Sequence, residues 1–269
     1  MGGGTALEAR AYEFCAAEAA VAAGRAVRPR VGRPEHVSTK AAAADLVTEC
    51  DREAEALIVS ILRQRFPEHA VFGEEGGGRQ DGEFVWYVDP IDGTTNFVHG
   101  LPGFCVSVGL CRQGRPVAGA VYDPVAEVLY SASAGAGATA NGLPLRVSAE
   151  RRLEDSLLGT GVPPVEPARS WALASGAAVA GRVRNLRNLG SAALHLCQVA
   201  SGHLGGFWEP ALRAWDLAAA VIILREAGGR CTALDGDEWH AGVRGCAATN
   251  GAVHDELVAI LKSVPGPRQ

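Results

Sequence analysis

Five acidic residues stand where predicted strands end or a predicted helix begins. Glu74 and Glu75 close a short strand, Asp89 closes the next strand, Asp92 follows shortly after, and Asp216 lies near the start of a distant helix. Strand ends and helix starts face the crevices in which layered α/β folds bind ligands. Acids that converge there repel one another unless cations neutralise them. A set of oxygen donors without His or Cys favours a hard cation, with Mg²⁺ the first choice.

The run Asp-Pro-Ile-Asp-Gly-Thr-Thr at 89–95 supplies the features of a phosphate site. Pro90 lacks an N–H and favours extended geometry in the residue before it, so the strand is predicted to end at Asp89. Asp92 is then placed to cap a short helix, and Gly93 lets a ligand approach the main chain closely. The N–H groups from Gly93 onward would bind an anion at the positive end of that helix. Metal-binding carboxylates beside an anion site predict metal-assisted phosphoryl transfer.

Each of these residues also has an ordinary structural explanation when it is taken singly. Asp216 suits the first turn of any helix, because the helix dipole favours an acid there. Asp51 fits an ordinary charged first turn, Glu75 fits a solvated loop, and Lys40 fits a surface position. The run at 89–95 favours a functional role for Asp216, whereas the two explanations of Glu75 stay open.

Several sequence blocks together resemble the inositol monophosphatase family of Mg²⁺-dependent, lithium-sensitive phosphatases. They occur in the order and spacing of that family, and the similarity covers about residues 8 to 262. One block alone would be weak, but several in order are specific. The blocks are Asp45-Leu46-Val47-Thr48 with Asp51, Gly73-Glu74-Glu75, Asp89-Pro90-Ile91-Asp92-Gly93-Thr94-Thr95-Asn96-Phe97, and Trp215-Asp216 before Ala227-Gly228-Gly229.

The resemblance implies a set of metal ligands and catalytic residues. It implies two or three Mg²⁺ ions per site as the cofactor. The first ion would be held by Glu74, Asp89 and the main-chain carbonyl of Ile91, and the second by Asp89, Asp92 and Asp216, with Asp89 bridging. The implied catalytic residues are Glu74, Thr94 and Asp92, and Glu74 with Thr94 would orient and deprotonate the attacking water.

The resemblance also implies substrate contacts and supporting residues. Lys40, Asp51 and Glu75 match positions that do not bind the metal themselves but orient its ligands and adjust the charge around them. Glu209 matches the carboxylate that contacts substrate hydroxyls in this family. The substrate-binding set that the resemblance implies is Glu74, Ile91, Asp92, Gly93, Thr94, Gly190, Ser191, Ala192, Glu209 and Asp216.

The order of predicted elements indicates an α+β fold with two sheets. Helical patterns at the N-terminus and over 51–66 precede short strands at 70–73 and 84–88, and alternating β patterns follow at 105–111, 117–122 and 127–132. Helices and strands then alternate, with helices at 168–180, 191–201, 216–227 and 253–263. The resemblance implies a layered α-β-α-β-α sandwich of the sugar phosphatase and inositol monophosphatase type. We expect a single domain over 1–269, with an N-terminal α+β half at about 1–160 and a C-terminal α/β half at about 161–269.

Composition excludes several classes of protein. The chain has 269 residues, 48% of them hydrophobic and 20% charged, and a net charge of −5, which disfavours a nucleic-acid partner. No apolar run approaches the length of a membrane span, and no secretory signal is visible. The seven cysteines form no C-x-x-C pair, and the seven histidines show no metal-ligand spacing, so we expect surface or core histidines. A reducing, cytoplasmic location is the simplest interpretation, and the resemblance implies a homodimer.

The predicted function is hydrolysis of a small phosphate monoester, with myo-inositol 1-phosphate as the first choice. Histidinol phosphate and L-galactose 1-phosphate are alternative substrates. A bisphosphate would need a second basic cluster, and the arginines at 182, 184 and 187 instead fit one exposed strand face. From a different functional class, a non-catalytic binding module on the same scaffold is the alternative hypothesis.

Overall fold

The helices and strands were obtained from a computed structural model that describes residues 3–39 and 46–266. Lys40 lies outside the described residues. The described helices are α1 (Gly3–Val27), α2 (Glu49–Arg65), α3 (Thr94–Val98), α4 (Ala168–Ala180), α5 (Ala192–Ala200), α6 (Ala214–Glu226) and α7 (His254–Ser263). The described strands are β1 (Val37–Thr39), β2 (Leu46–Thr48), β3 (Ala70–Gly73), β4 (Gly77–Gly78), β5 (Phe84–Asp92), β6 (Cys105–Arg112), β7 (Arg115–Asp123), β8 (Val128–Ser133), β9 (Ala138–Ala140), β10 (Leu143–Pro144), β11 (Leu157–Thr160), β12 (Asn185–Arg187), β13 (Gly206–Glu209), β14 (Arg230–Thr232) and β15 (Cys246–Thr249).

The larger sheet has the strand order β10-β9-β8-β7-β6-β5-β3-β4. Its pairs are antiparallel except for β3 with β5, which run parallel. One face packs against α1 and α2, where Ile58 and Leu62 belong to the same core cluster as Trp86 and Val88 of strand β5. Because β3 and β5 are parallel neighbours, the residues that follow them lie at the same edge of the sheet.

The other face of the larger sheet packs against α5 and α6. Helix α6 is apolar and buried on all sides from Leu217 to Leu224, as expected for a helix covered by two layers. Gly109 and Gly119 lie under this helix, and a Cβ atom at either position would overlap the main chain of Ala219. The two glycines therefore let α6 approach the sheet closely, which fixes where the first turn of α6 meets the strand ends.

The smaller sheet has the order β12-β11-β13-β15-β14 and completes the stack. Helices α5 and α6 lie between the two sheets, and α4 and α7 cover the outer face of the smaller one through Trp171, Leu257 and Leu261. The layers therefore follow one another as α-β-α-β-α, which confirms the predicted α+β sandwich. The division into halves near 160 stays a prediction.

Two local expectations from the sequence are wrong. Strand β5 does not end at Asp89 but continues to Asp92, and its pairing with β6 is irregular between these two residues. Pro90 is accommodated there because the ladder with β6 is interrupted and the pairing with β3 has already ended at Val88. Helix α6 begins at Ala214, two residues before the predicted start, which places Asp216 inside its first turn.

Within the described residues, every helix is too short or too polar to cross a bilayer.

Candidate active site

Three carboxylates from distant parts of the chain meet at one point. Asp89, Asp92 and Asp216 each present a carboxylate oxygen, and these oxygens lie within 4.8 Å of one another. Asp89 and Asp92 are 2% and 8% exposed, and Asp216 is half-buried. Glu74 lies close enough to Asp89 for its negative charge to raise the pKa of that residue.

The fold explains how these acids come together. Glu74 follows β3, and its N–H donates to the carbonyl of Val88 on the parallel neighbour β5 at 3.0 Å. Asp216 lies in the first turn of α6, where its Oδ2 accepts a hydrogen bond from the N–H of Arg213 at 2.6 Å. This bond to the residue that caps the helix turns one oxygen of Asp216 back towards the helix start.

The electrostatics of the cluster favour either protonation or cation binding. Burial raises the pKa of Asp89, Asp92 and Asp216, and mutual repulsion raises the pKa of Asp89 and Asp216 further. Within the described residues, no Lys or Arg side chain forms an ion pair with these three acids. Buried oxygen donors that repel one another match the requirements of a hard divalent cation. The donor set therefore fits the metal that the sequence predicts.

Asp92 does not cap the short helix α3, which corrects the expectation from the sequence. Gly93 is the residue before α3, with φ 98° and ψ 36°, and no side chain caps that helix. This left-handed conformation requires glycine. Asp92 instead accepts hydrogen bonds from the start of α5, namely from the N–H of Ala193 at 2.7 Å and from the N–H of Ala192 at 3.3 Å.

Two side chains complete the surroundings of Asp92. The hydroxyl of Ser191 donates to Asp92 Oδ2 at 2.6 Å, and the thiol of Cys105 lies 3.9 Å from the same oxygen. The hydroxyl of Ser191 also accepts from the N–H of Leu194 at 3.1 Å and so caps α5. These bonds favour the charged carboxylate and lower the pKa of Asp92, but burial outweighs them and the pKa is raised.

Thr94 lies beside the carboxylate cluster and contacts Asp51. Its hydroxyl lies 3.0 Å from the carbonyl of Ile91 and 3.3 Å from Asp51 Oδ1. Asp51 is itself held by Thr48, which donates both its N–H and its hydroxyl to Asp51 Oδ2, at 2.8 and 2.6 Å. The start of α2 therefore fixes an acid next to the threonine that the sequence places in catalysis.

A polar pocket of about 490 Å³ opens next to the carboxylates and shares Asp92 with them. Glu209, at the end of β13, lines it, and Gly161 lies against the Glu209 carboxylate so closely that a Cβ atom there would overlap it. Burial, together with the charges of Asp216 and Asp92, raises the pKa of Glu209. The pocket is lined by Asp92, Thr95, Asn96, Gly161, Val162, Asn188, Leu189, Gly190, Ser191, Ala192, His195, Glu209 and Leu212.

Asp51 contacts Thr94, Lys40 lies outside the described residues, and the other sequence-derived site residues fall into three groups. Glu74, Asp89, Ile91, Asp92, Gly93, Thr94 and Asp216 lie at the carboxylate cluster or directly beside it. Gly190, Ser191, Ala192 and Glu209 line the adjoining pocket. Glu75 follows Glu74 at the end of β3, and its N–H donates to Glu55 Oε2 at 2.8 Å.

Three residues of the site were not given a role from the sequence. Glu55 of α2 holds the main chain at Glu75, and Asn96 donates its side-chain amide to the carbonyls of Gly103 and Leu189, both at 2.8 Å. His195 is buried beside the pocket. Asn96 stands inside the family block at 89–97 and could have been singled out there. Glu55 carries no motif signal, because its partners are main-chain groups about twenty residues further along the chain. His195 bonds main-chain groups of the nearby turn at Leu189 and Ser191, and a histidine in an apolar helix does not reveal such bonds from the sequence.

Comparison with known proteins identifies the family. The sequence model of the inositol monophosphatase family matches residues 8–265. An inositol-1-monophosphatase from Synechocystis sp. is 41% identical over 260 residues, covering 93% of this chain and 88% of that protein. A protein from Pseudomonas aeruginosa named Nus factor SuhB is 41% identical over 223 residues, covering 80% of this chain and 82% of that protein. The solved structure of an inositol monophosphatase from Anabaena (Nostoc) sp. has a TM-score of 0.85 and 38% identity, and the match covers 95% of this chain and 97% of that one. The resemblance inferred from the motifs is confirmed, and the chain belongs to the inositol monophosphatase family.

Proposed function

We propose that this chain hydrolyses myo-inositol 1-phosphate, or a similar small polyol or sugar phosphate, to the free alcohol and phosphate. The observation that carries this proposal is the position of Asp92, which belongs both to the carboxylate cluster and to the polar pocket of about 490 Å³. A phosphate at the cluster would leave its alcohol in that pocket. The membership of the chain in a phosphatase family supports the same activity.

Mg²⁺ is the proposed cofactor, with two or three ions per site. Glu74, Asp89 and the carbonyl of Ile91 would hold one ion, and Asp89, Asp92 and Asp216 would hold another. When bound, Mg²⁺ supplies positive charge that polarises the phosphate and makes a water molecule easier to deprotonate.

The chain's own residues orient the reactants. The hydroxyl of Thr94 lies between the carbonyl of Ile91 and the carboxylate of Asp51, so Thr94 can accept from a water molecule while it donates to Asp51. Glu74 is the proposed base that takes the proton of that water. The first-turn N–H groups of α3 have no partners within the helix and are available to phosphate oxygens.

The pocket fits an alcohol with several hydroxyl groups. Glu209 offers a carboxylate that can accept hydrogen bonds from the hydroxyl groups of the alcohol, and the turn with Ser191 forms another part of the lining. Within the described residues, Arg182, Arg184 and Arg187 are exposed and none of them lines this pocket. This arrangement favours a monophosphate over a bisphosphate.

The proposal is tested by measuring phosphate release from purified protein with Mg²⁺ present. The substrates are myo-inositol 1-phosphate, histidinol phosphate, L-galactose 1-phosphate and fructose 1,6-bisphosphate. We expect the highest kcat/KM for the inositol ester, loss of turnover when a chelator removes the metal, and inhibition by lithium. A protein that released no phosphate from any ester with Mg²⁺ present would contradict the proposal. Faster turnover of histidinol or galactose phosphate would keep the chemistry and change the substrate.

A binding role is the alternative, because one relative is named a Nus factor. Replacement of Asp92 by Asn separates the two functions, since it removes a metal ligand and leaves the outer surfaces unchanged. A cellular role that survives this substitution would favour binding. The homodimer and the cytoplasmic location are further parts of our proposal, and size-exclusion chromatography with light scattering tests the first of them.

A further inference from the structure

One wall of the pocket is a tight turn that comes from the C-terminal part of the chain. Leu189, Gly190 and Ser191 form this turn, between the end of β12 and the start of α5. Gly190 has φ +86°, so the main chain there is in the left-handed region. The turn matters for the site because Ser191 donates to Asp92.

His195 binds this turn with both ring nitrogens. Its Nδ1 lies 2.7 Å from the carbonyl oxygen of Ser191, and its Nε2 lies 3.1 Å from the nitrogen of Leu189. The carbonyl can only accept and the N–H of Leu189 can only donate. A neutral ring that carries its proton on Nδ1 satisfies both groups.

The His195 ring is enclosed by the protein. It is 1% exposed and stacks on Phe207 with a centroid distance of 4.5 Å. Gly159 lies against the ring edge, and a Cβ atom at that position would overlap Cδ2. Burial lowers the pKa of His195 to about 4, so the ring is neutral near neutral pH.

A neutral ring protonated on Nε2 would match the hydrogen-bonding groups of the turn less well. The carbonyl of Arg187 also lies within hydrogen-bond reach of the ring, so an Nε2–H group would have an acceptor. That tautomer would turn an N–H towards the N–H of Leu189 and would leave the carbonyl of Ser191 facing a nitrogen lone pair. Unmatched buried polar groups of this kind are costly.

We propose that His195 is a positioning residue, which holds the 189–191 turn in place as a neutral ring protonated on Nδ1 and so forms the wall that receives the alcohol part of the substrate. The inference rests on the proposed function for its effect on substrate binding. Asn96 holds the same turn from the other side through the carbonyl of Leu189. Two side chains that line the pocket, Asn96 and His195, therefore bind the main chain of this turn.

A variant series distinguishes positioning from simple packing. The amide of His195→Gln can place an acceptor near the position of Nε2 and so keep the bond from the N–H of Leu189. The shorter amide of His195→Asn reaches only the position of Nδ1 and loses that bond. Both variants lose the ring that stacks on Phe207. We expect His195→Asn to raise KM for myo-inositol 1-phosphate about fivefold or more, which is the size expected for one lost hydrogen bond. We expect His195→Gln to recover most of this loss. Turnover of p-nitrophenyl phosphate, whose leaving group offers no hydroxyl to the wall, should change much less.

His254 provides a matched control. It is also a buried histidine with both ring nitrogens bonded, to Thr232 and Thr249, and it does not line the pocket. His254→Gln should lower the melting temperature without changing KM. If the Gln and Asn variants of His195 showed the same rise in KM and the same fall in kcat, on both substrates, His195 would only pack and the inference would be overturned.

The tautomer gives a readout that does not depend on activity. Nitrogen-15 spectra of the wild-type protein, with the His195 signals identified by their loss in the variant, should show a protonated Nδ1 and an unprotonated Nε2. A protonated Nε2 would overturn the inference. A wild-type protein with the expected tautomer but without phosphatase activity would instead contradict the proposed function.

Discussion

The carboxylate of Asp92, at the end of β5, accepts a hydrogen bond of 2.7 Å from the N–H of Ala193 in the first turn of α5. The two residues are 101 positions apart, one in a strand of the larger sheet and the other in a helix that lies between the two sheets. The N–H groups at a helix start carry partial positive charge and favour an anion. The bond therefore stabilises Asp92 as a carboxylate and also joins the cluster to the wall of the pocket.

Replacement of Asp92 by Asn should abolish most of the activity. The amide keeps the size of the side chain but removes its charge, and its NH₂ group would face the donors at Ser191 or Ala193. We expect kcat/KM to fall at least about a hundredfold, the loss typical of a key electrostatic group in an active site. The exposed Asp237 is the control, because its replacement by Asn removes a charge at a residue that belongs neither to the cluster nor to the pocket lining. A folded Asp92→Asn protein with near-normal turnover would remove Asp92 from the mechanism.

The stability of the metal-free protein should decrease as the pH rises. Burial and neighbouring charges raise the pKa of Asp89 and Asp216, so the folded protein retains protons that the unfolded chain releases. Their contribution to stability is therefore fully present below the ordinary carboxyl pKa and is lost as the pH rises through the raised values. We expect the contribution of these carboxyl groups to the melting temperature without metal to decrease as the pH rises above the ordinary carboxyl pKa. The increase on addition of Mg²⁺ should grow over the same range, because protons then compete less for the ligands.

The variant Asp89→Asn tests the cause of that pH dependence. The amide cannot ionise, so the repulsion within the cluster decreases and the melting temperature should vary less with pH. It can still accept the N–H of Ile91, which Asp89 Oδ1 binds at 3.0 Å. An equally steep pH dependence in wild type and variant, measured by calorimetry in the presence of a chelator, would place its origin outside the cluster.

A methyl group at Gly161 should disturb substrate binding through Glu209. A Cβ atom there would overlap the Glu209 carboxylate, which would have to move within the pocket. We expect Gly161→Ala to raise KM for myo-inositol 1-phosphate about tenfold, which corresponds to about 1.4 kcal/mol of lost binding. Gly176→Ala is the control, since no atom lies within 4 Å of the added methyl group there. An unchanged KM in Gly161→Ala would mean that Glu209 does not contact the substrate.

The metal-binding part of the site was accessible to sequence reasoning because its signal is local. Acids at strand ends and a glycine before a short helix are recognisable within a few residues of sequence. The structure brings Asp89, Asp92 and Asp216 together, as these short patterns predict. The partners of Asp92 were not accessible, because the bonds from Ala192 and Ala193 depend on how α5 packs against the larger sheet. The sequence therefore predicted a local cap where the fold forms a long-range contact.

The extension of β5 through Pro90 was missed for a similar reason. A proline argues against a strand only where its neighbours need its N–H. Strand β3 stops pairing at Val88, and the register with β6 shifts between Asp89 and Asp92, so no neighbour requires that donor. Whether a strand tolerates proline therefore depends on its neighbours in the folded sheet. The sequence of that strand alone does not show which neighbours it has.

The hydroxyl of Ser191 should contribute to both folding and activity. It caps α5 through the N–H of Leu194 and donates to Asp92 at 2.6 Å, so its removal leaves a helix start without its cap and a carboxylate with one donor fewer. We expect Ser191→Ala to lower the free energy of unfolding by about 1 kcal/mol, the usual cost of a lost N-cap. Activity should fall severalfold at the same time, measured at a temperature where both proteins are folded. Ser191→Thr retains the hydroxyl and should restore most of both properties. If Ser191→Ala lost stability but kept full activity, the hydroxyl would act on the fold alone and its bond to Asp92 would have no part in turnover.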